Sequence, residues 1–291
     1  MDASVSAHVA AGTRVVADTH VHLYPGYDLA LALASLAANL GRTPAGARAG
    51  FFAERHDCHM FAALRGDPAR LSRDGFEIRQ FSDPGVLLVA AAGTPPVHLF
   101  AGRQIATAER IEILALLAPE APRDGLPAER AVAAILETGG VPVLGWSPGK
   151  WWLGRGRLVR ALLERFGADS LLLGDTALRP DFSPEPSIMR AARRRGVRVI
   201  AGSDPLPFAG EERLLGSYAS IFTGTIDPAR PVESARQLLL SAAAGSAGSR
   251  CTWAGAARRW LRTTRASRSG PAVLSGSAAS RTPDGPRACA E

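Results

Sequence analysis

The chain has 291 residues, 46% of them hydrophobic, so it can bury the core of one large domain or two small ones and does not have a disordered composition. Its best apolar stretch, residues 29–40, is shorter than the roughly 20 residues that span a bilayer. The first 11 residues lack the basic and apolar regions of a signal peptide, and three cysteines provide no disulfide framework. We therefore expect a cytoplasmic protein with no membrane partner.

Short apolar strands alternate with helices along most of the chain. The predicted strands are residues 15–17, 76–81, 86–92, 97–105, 141–144, 170–173 and 197–201. The predicted helices are residues 27–40, 47–64, 127–138, 154–166 and 187–195. Residues 109–117 fit both patterns, since their apolar residues alternate as in a strand although Ala, Glu and Leu favour a helix. This order predicts an α/β fold with a mainly parallel sheet and an antiparallel block near residues 76–116.

The net charge of +7 comes almost entirely from the end of the chain. Residues 246–291 contain eight arginines and two acidic residues, whereas the rest has 26 basic and 25 acidic residues. The nearly neutral body lacks the basic surface that nucleic-acid binding requires, so we predict no nucleic-acid partner. The composition divides the chain into a globular domain, residues 1–245, and a basic low-complexity tail, residues 246–291. That tail is either a disordered segment or the out-of-frame product of a GC-rich gene.

The segment Asp18-Thr19-His20-Val21-His22 follows the first apolar strand directly. Residues two apart on a strand point to the same side, so Asp18, His20 and His22 are expected to project together at its C-terminal end. Two imidazoles in this arrangement provide half of a site for a divalent metal, and the neighbouring carboxylate can orient a ring. The alternative is a chance His-x-His packed in a turn.

A second candidate ligand, Asp204, comes just after the predicted strand 197–201. Active sites of parallel α/β barrels lie at the C-terminal ends of the strands, so Asp204 can meet His20 and His22 across the barrel mouth. The alternative is an Asp that opens a turn before Pro205.

Lys150 is the only lysine in the chain, beside 33 arginines, and it follows a predicted buried strand. Lysine and arginine differ where a compact charge or a titratable amine is needed, so we interpret Lys150 as functional. The alternative is a lysine that remains by chance in an arginine-rich chain. Arg155 and Arg157 could bind an anion, and Trp151 could wall a pocket, although a helix start and core packing are the alternatives. Asp175 ends another strand at the same edge, where it could also be a cap.

The order of these motifs resembles the polymerase-and-histidinol-phosphatase (PHP) family. Residues 18–22 resemble its opening metal motif, and residues 102–116 resemble its central hairpin. Residues 139–144 resemble the strand before its Ala-His-Pro motif, and residues 201–204 resemble its closing Gly-Ser-Asp-Ala-His. The resemblance spans residues 14–206. It implies a distorted, TIM-like (β/α) barrel of seven strands with a two- or three-metal site for phosphoester hydrolysis.

Several metal ligands of that family are replaced in this chain. Only His20, His22 and Asp204 carry over, and the related amidohydrolase barrels also need later histidines that this sequence lacks. The replacements are Gln104 for a Glu ligand, Glu112 for a His, Gly145-Trp146 for the Ala-His-Pro histidine, and Pro205 or Leu206 for the final His. The resemblance therefore implies a reduced site.

These observations predict a hydrolase that uses one or two ions of Zn or Mn to activate water against a phosphoester or another small anionic substrate. The expected metal ligands are His20, His22, Asp204 and Glu112. The expected catalytic groups are Asp18, Lys150 and Asp175. The expected substrate-binding residues are Lys150, Arg155, Arg157 and Trp151. The alternative is a catalytically silent barrel that binds a small anionic ligand or a partner protein through the Lys150 loop.

Overall fold

The computed structural model describes residues 13–268, apart from residues 121, 148 and 152. The strands are β1 Arg14–Val21, β2 Ala47–Phe52, β3 Phe76–Gln80, β4 Val86–Ala91, β5 Thr94–Phe100, β6 Gly102–Ala106, β7 Glu112–Leu116, β8 Val141–Gly145, β9 Leu172–Thr176, β10 Val199–Gly202, β11 Tyr218–Thr223 and β12 Ala243–Gly248. The helices are α1 Leu29–Gly41, α2 Met60–Gly66, α3 Ala128–Glu137, α4 Leu153–Phe166, α5 Ser187–Arg194, α6 Pro231–Leu240 and α7 Trp253–Arg268, with 3₁₀ turns at Ser72–Asp74 and Glu211–Leu214.

The strands form two mixed sheets, which confirms the predicted α/β class. The larger sheet has the order β12-β11-β1-β2-β5-β4-β3, with β1, β2 and β5 parallel to one another. The smaller sheet has the order β10-β9-β8-β7-β6, with β8, β9 and β10 parallel. Antiparallel pairing joins β3 to β4, β4 to β5, β6 to β7 and β7 to β8, as the predicted block near residues 76–116 requires.

Across the described part of the chain the two sheets remain separate, so the single closed barrel that we expected is not found. Instead, the two edge strands of the smaller sheet, β10 and β6, approach the central strands β1 and β2 of the larger sheet at two glycines. A Cβ atom on Gly202 of β10 would lie 2.4 Å from the Cβ of His20 on β1, and one on Gly102 of β6 would lie 2.4 Å from the carbonyl oxygen of Phe52 on β2. Only glycine permits this backbone approach.

Three apolar clusters fill the layers between these elements. One packs α1 against the larger sheet, a second packs α3, α4 and α5 against the smaller sheet, and a third lies between the two sheets. The third cluster contains the stacked rings of Phe51 and Phe100, whose centroids are 5.0 Å apart. Because apolar side chains fill the space between the sheets, the polar residues of β1 and β10 are confined to the strand ends.

Two of the predicted elements were wrong. Residues 47–64 were expected to form a helix, but Ala47–Phe52 is strand β2, parallel to β1. A Cβ atom on Gly50 would lie only 3.2–3.4 Å from the side chains of Leu36, Leu99 and Val21, so the pairing of β2 depends on tertiary packing that the local sequence does not show. The expected strand 97–105 is two strands, β5 and β6, in different sheets, and the ambiguous segment contains strand β7.

The expected boundary at residue 245 falls inside β12, which pairs with β11 from Tyr218 to Phe222. The residues that follow, as far as 268, also contain α7. Arg259 of α7 donates hydrogen bonds of 3.0 and 2.8 Å to Glu211, and both side chains are buried. The described part of the expected tail is therefore packed on the loop that follows β10, whereas residues 269–291 lie outside the described residues. No described helix has the length and apolar character needed to cross a membrane.

The close contact at Gly202 provides a test of this architecture. We expect Gly202→Ala to lower the free energy of unfolding by about 1–3 kcal/mol, the usual cost of overpacking, because the new Cβ atom must displace the backbone of His20. The matched control is Gly245→Ala in β12, where a Cβ atom would meet nothing within 4 Å. Denaturant unfolding of both variants measures the difference, and equal stability would show that β10 does not pack closely against β1.

Candidate metal centre

His20 and His22 lie at the end of β1 and just beyond it, and their side chains converge as the strand alternation predicted. Both residues are buried, with 4% and 3% of their surface exposed. Their Nε2 atoms are 3.0 Å apart. Two buried imidazoles therefore present ring nitrogens to the same point.

Asp204 completes the cluster from the end of β10. Its Oδ1 atom is 3.5 Å from His20 Nε2 and 3.6 Å from His22 Nε2. The residue has a φ of 49°, in the left-handed region, and its backbone N–H donates to the carbonyl oxygen of His20 at 3.0 Å. Such strained backbone is common at functional sites, and aspartate tolerates it better than most residues.

Gln104 on β6 brings a fourth atom to the cluster. Its Oε1 is 3.1 Å from His20 Nε2. The sequence indicates Gln104 only as a replacement for a Glu ligand and does not place it among the expected site residues. That position in the motif was the signal that could have identified it.

The distances from His20 Nε2 to its three neighbours, and from His22 to Asp204, fit a small cation. Ligands at 2.0–2.1 Å in a tetrahedron lie about 3.3–3.4 Å apart, close to the separations of 3.0–3.6 Å seen here. The Asp204 and Gln104 oxygens are acceptors, and each neutral imidazole carries one proton on its two nitrogens, so lone pairs outnumber protons in the cluster. The His20/His22/Asp204 group could therefore bind a metal.

The pKa values of His22 and Asp204 also suit metal binding. Burial, followed by the charges of His20 and Arg55, holds the pKa of His22 well below its usual range, so its imidazole is neutral at physiological pH. Burial also raises the pKa of Asp204 to about 6, against the favourable charge of His20. A neutral imidazole and a carboxylate that is costly to ionise without a cation are both suited to bind one.

Asp18 differs from its expected role of orienting an imidazole. Its carboxylate accepts hydrogen bonds from the backbone N–H groups of His20, Ser203 and Gly216 and from the Ser203 hydroxyl, at 2.5–3.1 Å. Burial raises the pKa of Asp18, and these hydrogen bonds oppose the rise. Asp18 thus ties β1 to the segments that flank Asp204, and the contacts it makes are to backbone and hydroxyl groups.

Glu112, an expected ligand, is engaged by other groups. It forms an ion pair with Lys150 and accepts a 3.3 Å hydrogen bond from Ser147. The Glu112 and Lys150 charges still act on Asp204, where they raise and lower its pKa respectively. The pair therefore borders the cluster, while His20, His22 and Asp204 form the group that could hold a metal ion.

Asp175 likewise forms an ion pair, with Arg179. Arg179 binds both of its oxygens, at 2.7 and 2.5 Å, and the Tyr218 hydroxyl donates to it at 3.0 Å. Asp175 and Arg179 are each 5% exposed. This buried pair holds β9, the loop after β9 and β11 together. Asp175 is not in the group that could hold a metal ion.

The three remaining expected substrate-binding residues make other contacts or face solvent. Trp151 is 5% exposed and packs in the cluster under α3, α4 and α5, so its bulk serves the core. Arg155 is half-buried and donates to the carbonyl oxygen of Gly149 at 2.9 Å, which braces the Lys150 loop. Arg157 is exposed on α4.

Known proteins resemble this chain in structure and not in sequence. No protein-family model and no curated protein matches it. The crystal structure of PsfC from Pseudomonas syringae PB-5123 superposes with a TM-score of 0.53 and 17% identity, covering 88% of this chain and 99% of PsfC. This likeness shows that the two proteins share a fold.

The lesion-specific endonuclease PfuEndoQ from Pyrococcus furiosus is also similar, with a TM-score of 0.47 and 12% identity over 78% of this chain. Endonuclease Q in complex with a 27-mer duplex that has an abasic lesion at the active site gives a TM-score of 0.43 and 12% identity, again over 78%. The chain spans 56% of the endonuclease in both cases. At these scores the likeness supports no conclusion about activity.

Proposed function

We propose that this protein is a metal-dependent hydrolase of the PHP or amidohydrolase type that cleaves a phosphoester in a small anionic substrate. The observation that carries the proposal is the convergence of His20 Nε2, His22 Nε2 and Asp204 Oδ1 within 3.6 Å of one another, all buried at the strand ends. On this view the two sheets are the halves of a distorted (β/α) barrel that has opened, with contacts at Gly102 and Gly202 marking where they meet.

The donor set favours Zn or Mn, because imidazole nitrogens suit Zn and carboxylate and amide oxygens suit Mn. His20, His22 and Asp204 would hold the ion, and Gln104 would add a neutral oxygen. An ion held there would supply Lewis acidity and lower the pKa of a water molecule toward neutrality. Because Lys150 already neutralises Glu112, we assign one ion to the site and not two.

The surrounding residues would bind and orient the substrate. The Lys150 side chain is 32% exposed and lies beside the cluster, so its ammonium can bind an anionic oxygen while Glu112 and Ser147 hold the loop. Asp18 would fix the backbone on both sides of Asp204. The expectation that nucleic acid is not the substrate stays a prediction.

Lys150→Ala tests the assigned substrate contact. Loss of a hydrogen bond to a charged group costs about 1.5–3 kcal/mol, so we expect KM for 4-nitrophenyl phosphate to rise about 10- to 100-fold with unchanged metal content. Steady-state hydrolysis by the metal-loaded full chain, with Arg130→Ala on α3 as the exposed control, measures the change. An unchanged KM would remove Lys150 from the site.

A second function is a silent barrel that binds a small anion. The engagement of Glu112 by Lys150 favours it, because that pair leaves a smaller ligand group than a multi-metal hydrolase uses. It predicts that phosphate raises the melting temperature of metal-free protein and that Lys150→Ala abolishes the shift. Hydrolysis of 4-nitrophenyl phosphate or bis(4-nitrophenyl) phosphate that is lost in a chelator and restored by Zn or Mn would exclude this alternative.

A further inference from the structure

A cavity of about 300 Å³ opens beside the candidate metal centre. Three segments form it, namely the loop after β1, the segment after β2 and the loop after β10. Its principal lining residues are Tyr24, Tyr27, Arg55, Cys58, Pro207 and Phe208. The sequence analysis assigned none of these residues to a functional site.

The cavity adjoins the metal centre through Tyr24 and through the loop that carries Asp204. The Tyr24 ring stacks on the His22 ring, with centroids 5.4 Å apart and planes 23° from parallel. Pro207 and Phe208 follow Asp204 within four residues on the same loop. A molecule whose reacting group lies at the ligand cluster would therefore extend into this cavity.

Aromatic rings line the cavity and are held in place. Tyr27 meets Tyr24 edge to face at 5.4 Å, and its hydroxyl donates to the carbonyl oxygen of Leu206 at 2.5 Å. The Arg262 guanidinium of α7 lies 4.7 Å from the centroid of the Phe208 ring. Fixed aromatic walls favour a planar aromatic ligand, because stacked and edge-to-face ring pairs gain energy beyond the area that they bury.

Arg55 and Asp57 are the charged residues that line the cavity. Arg55 pairs with Asp57 only at 3.5 Å, and both side chains are partly exposed, at 39% and 45%, so the pair is weak and can be exchanged. Cys58 is not available as a nucleophile, because its thiol is buried, donates to the carbonyl oxygen of Leu23 and has a pKa raised by burial to about 11. Arg55 is the group that can bind an anionic oxygen here.

We propose that this cavity binds the ring of an aryl phosphomonoester, with the phosphoryl group between Arg55 and the metal centre. A 150 Å³ cavity can hold benzene, so about 300 Å³ accommodates a ring with substituents. In the reaction the oxygen of water bonds to phosphorus, the bond from phosphorus to the ring oxygen breaks, and the phenol leaves with a proton from that water. The inference rests on the proposed function and adds the class of substrate.

Binding of two phosphonates to the full chain tests this inference without relying on turnover. We expect titration calorimetry of the Mn-loaded protein to show phenylphosphonate binding about tenfold more tightly than ethylphosphonate. Phe208→Leu keeps an apolar wall but removes the ring, and should reduce this preference about threefold, whereas Phe182→Leu, at a residue that is 65% exposed, should not. Arg55→Gln should weaken both phosphonates equally.

Equal affinities of the two phosphonates for the wild-type protein would contradict an aromatic pocket. An undiminished preference for phenylphosphonate in Phe208→Leu would contradict it as well. Addition of Mn to chelator-treated protein distinguishes this failure from failure of the proposed function. If Mn tightens neither phosphonate, the metal-dependent function is contradicted even if the preference for the ring remains. If Mn tightens both equally and the preference is absent, only the aromatic pocket is contradicted.

Discussion

His22→Ala is expected to abolish stable metal binding. Structural zinc sites gain about 10–16 kcal/mol from four ligands, so the loss of one ligand should weaken binding on the order of 100- to 1,000-fold. The substitution removes one of the two Nε2 atoms that lie 3.0 Å apart and leaves β1 otherwise intact. Competition with a chromophoric chelator measures the affinity of the purified full chain for Zn and Mn.

The matched control is His56→Ala, because the His56 side chain is 66% exposed and its ion pair is with Asp124 at the surface. That variant should bind metal as the wild type does. Circular dichroism shows whether His22→Ala is folded, and His22→Gln provides a second variant with a neutral polar side chain. A folded His22→Ala protein with wild-type affinity would show that the imidazole is not a ligand.

Asp204→Asn is expected to stabilise the metal-free protein at neutral pH. The folded pKa of Asp204, about 6, is above its ordinary value of 3.8, so the stability linked to this group is complete below pH 3.8 and is lost as the pH rises through 6. A shift of about two pKa units corresponds to about 3 kcal/mol. Asparagine tolerates the positive φ of this position and carries no charge.

Urea unfolding in a chelator at pH 4 and pH 7.5 measures this effect. Relative to the wild type, Asp204→Asn should gain about 2–3 kcal/mol between the two pH values and should lose its affinity for metal. Asp227→Asn is the control, since that side chain is 43% exposed. If Asp204→Asn were instead less stable than the wild type at pH 7.5, the carboxylate would belong to a structural ion pair with the histidines and not to a metal centre.

The convergence of His20, His22 and Asp204 could be predicted because it follows from local rules. Strand alternation places His20 and His22 on one side, and the C-terminal ends of strands place Asp204 near them. The resemblance to PHP proteins drew attention to Gln104 but did not show that its amide oxygen lies 3.1 Å from His20. Such contacts depend on how β6 meets β2, which involves residues far apart in sequence.

The remaining expected site residues could not be assigned from their positions alone. Glu112 was expected at the metal because it stands where the PHP family has a His, and Asp175 was expected in catalysis because it ends a strand. Each is engaged by a basic partner, Lys150 or Arg179. Which carboxylate has a basic partner depends on three-dimensional neighbours. The Arg55 cavity was missed for the same reason, because its walls come from three loops that carry no motif.

Some elements of the fold could likewise be predicted from local sequence, whereas others depend on tertiary contacts. The strands β8, β9 and β10 are short and buried on both faces, and apolar runs that overlap each of them predicted them from the sequence. The β2 segment was mistaken for a helix, and β12 with α7 was mistaken for a tail, because Ala, Gly, Ser and Arg carry little apolar pattern. Pairing with β11 and the Arg259–Glu211 ion pair define that end of the structure.

The most direct test of the central claim is the metal content of the purified full chain. After incubation with Zn or Mn and dialysis, elemental analysis should find about one equivalent in the wild type, as a single closed site requires, and less than a tenth of that in Asp204→Asn. Two equivalents would show that Glu112 or another group holds a second ion. No bound metal in a folded sample would contradict the metal centre and leave the anion-binding barrel as the function to pursue.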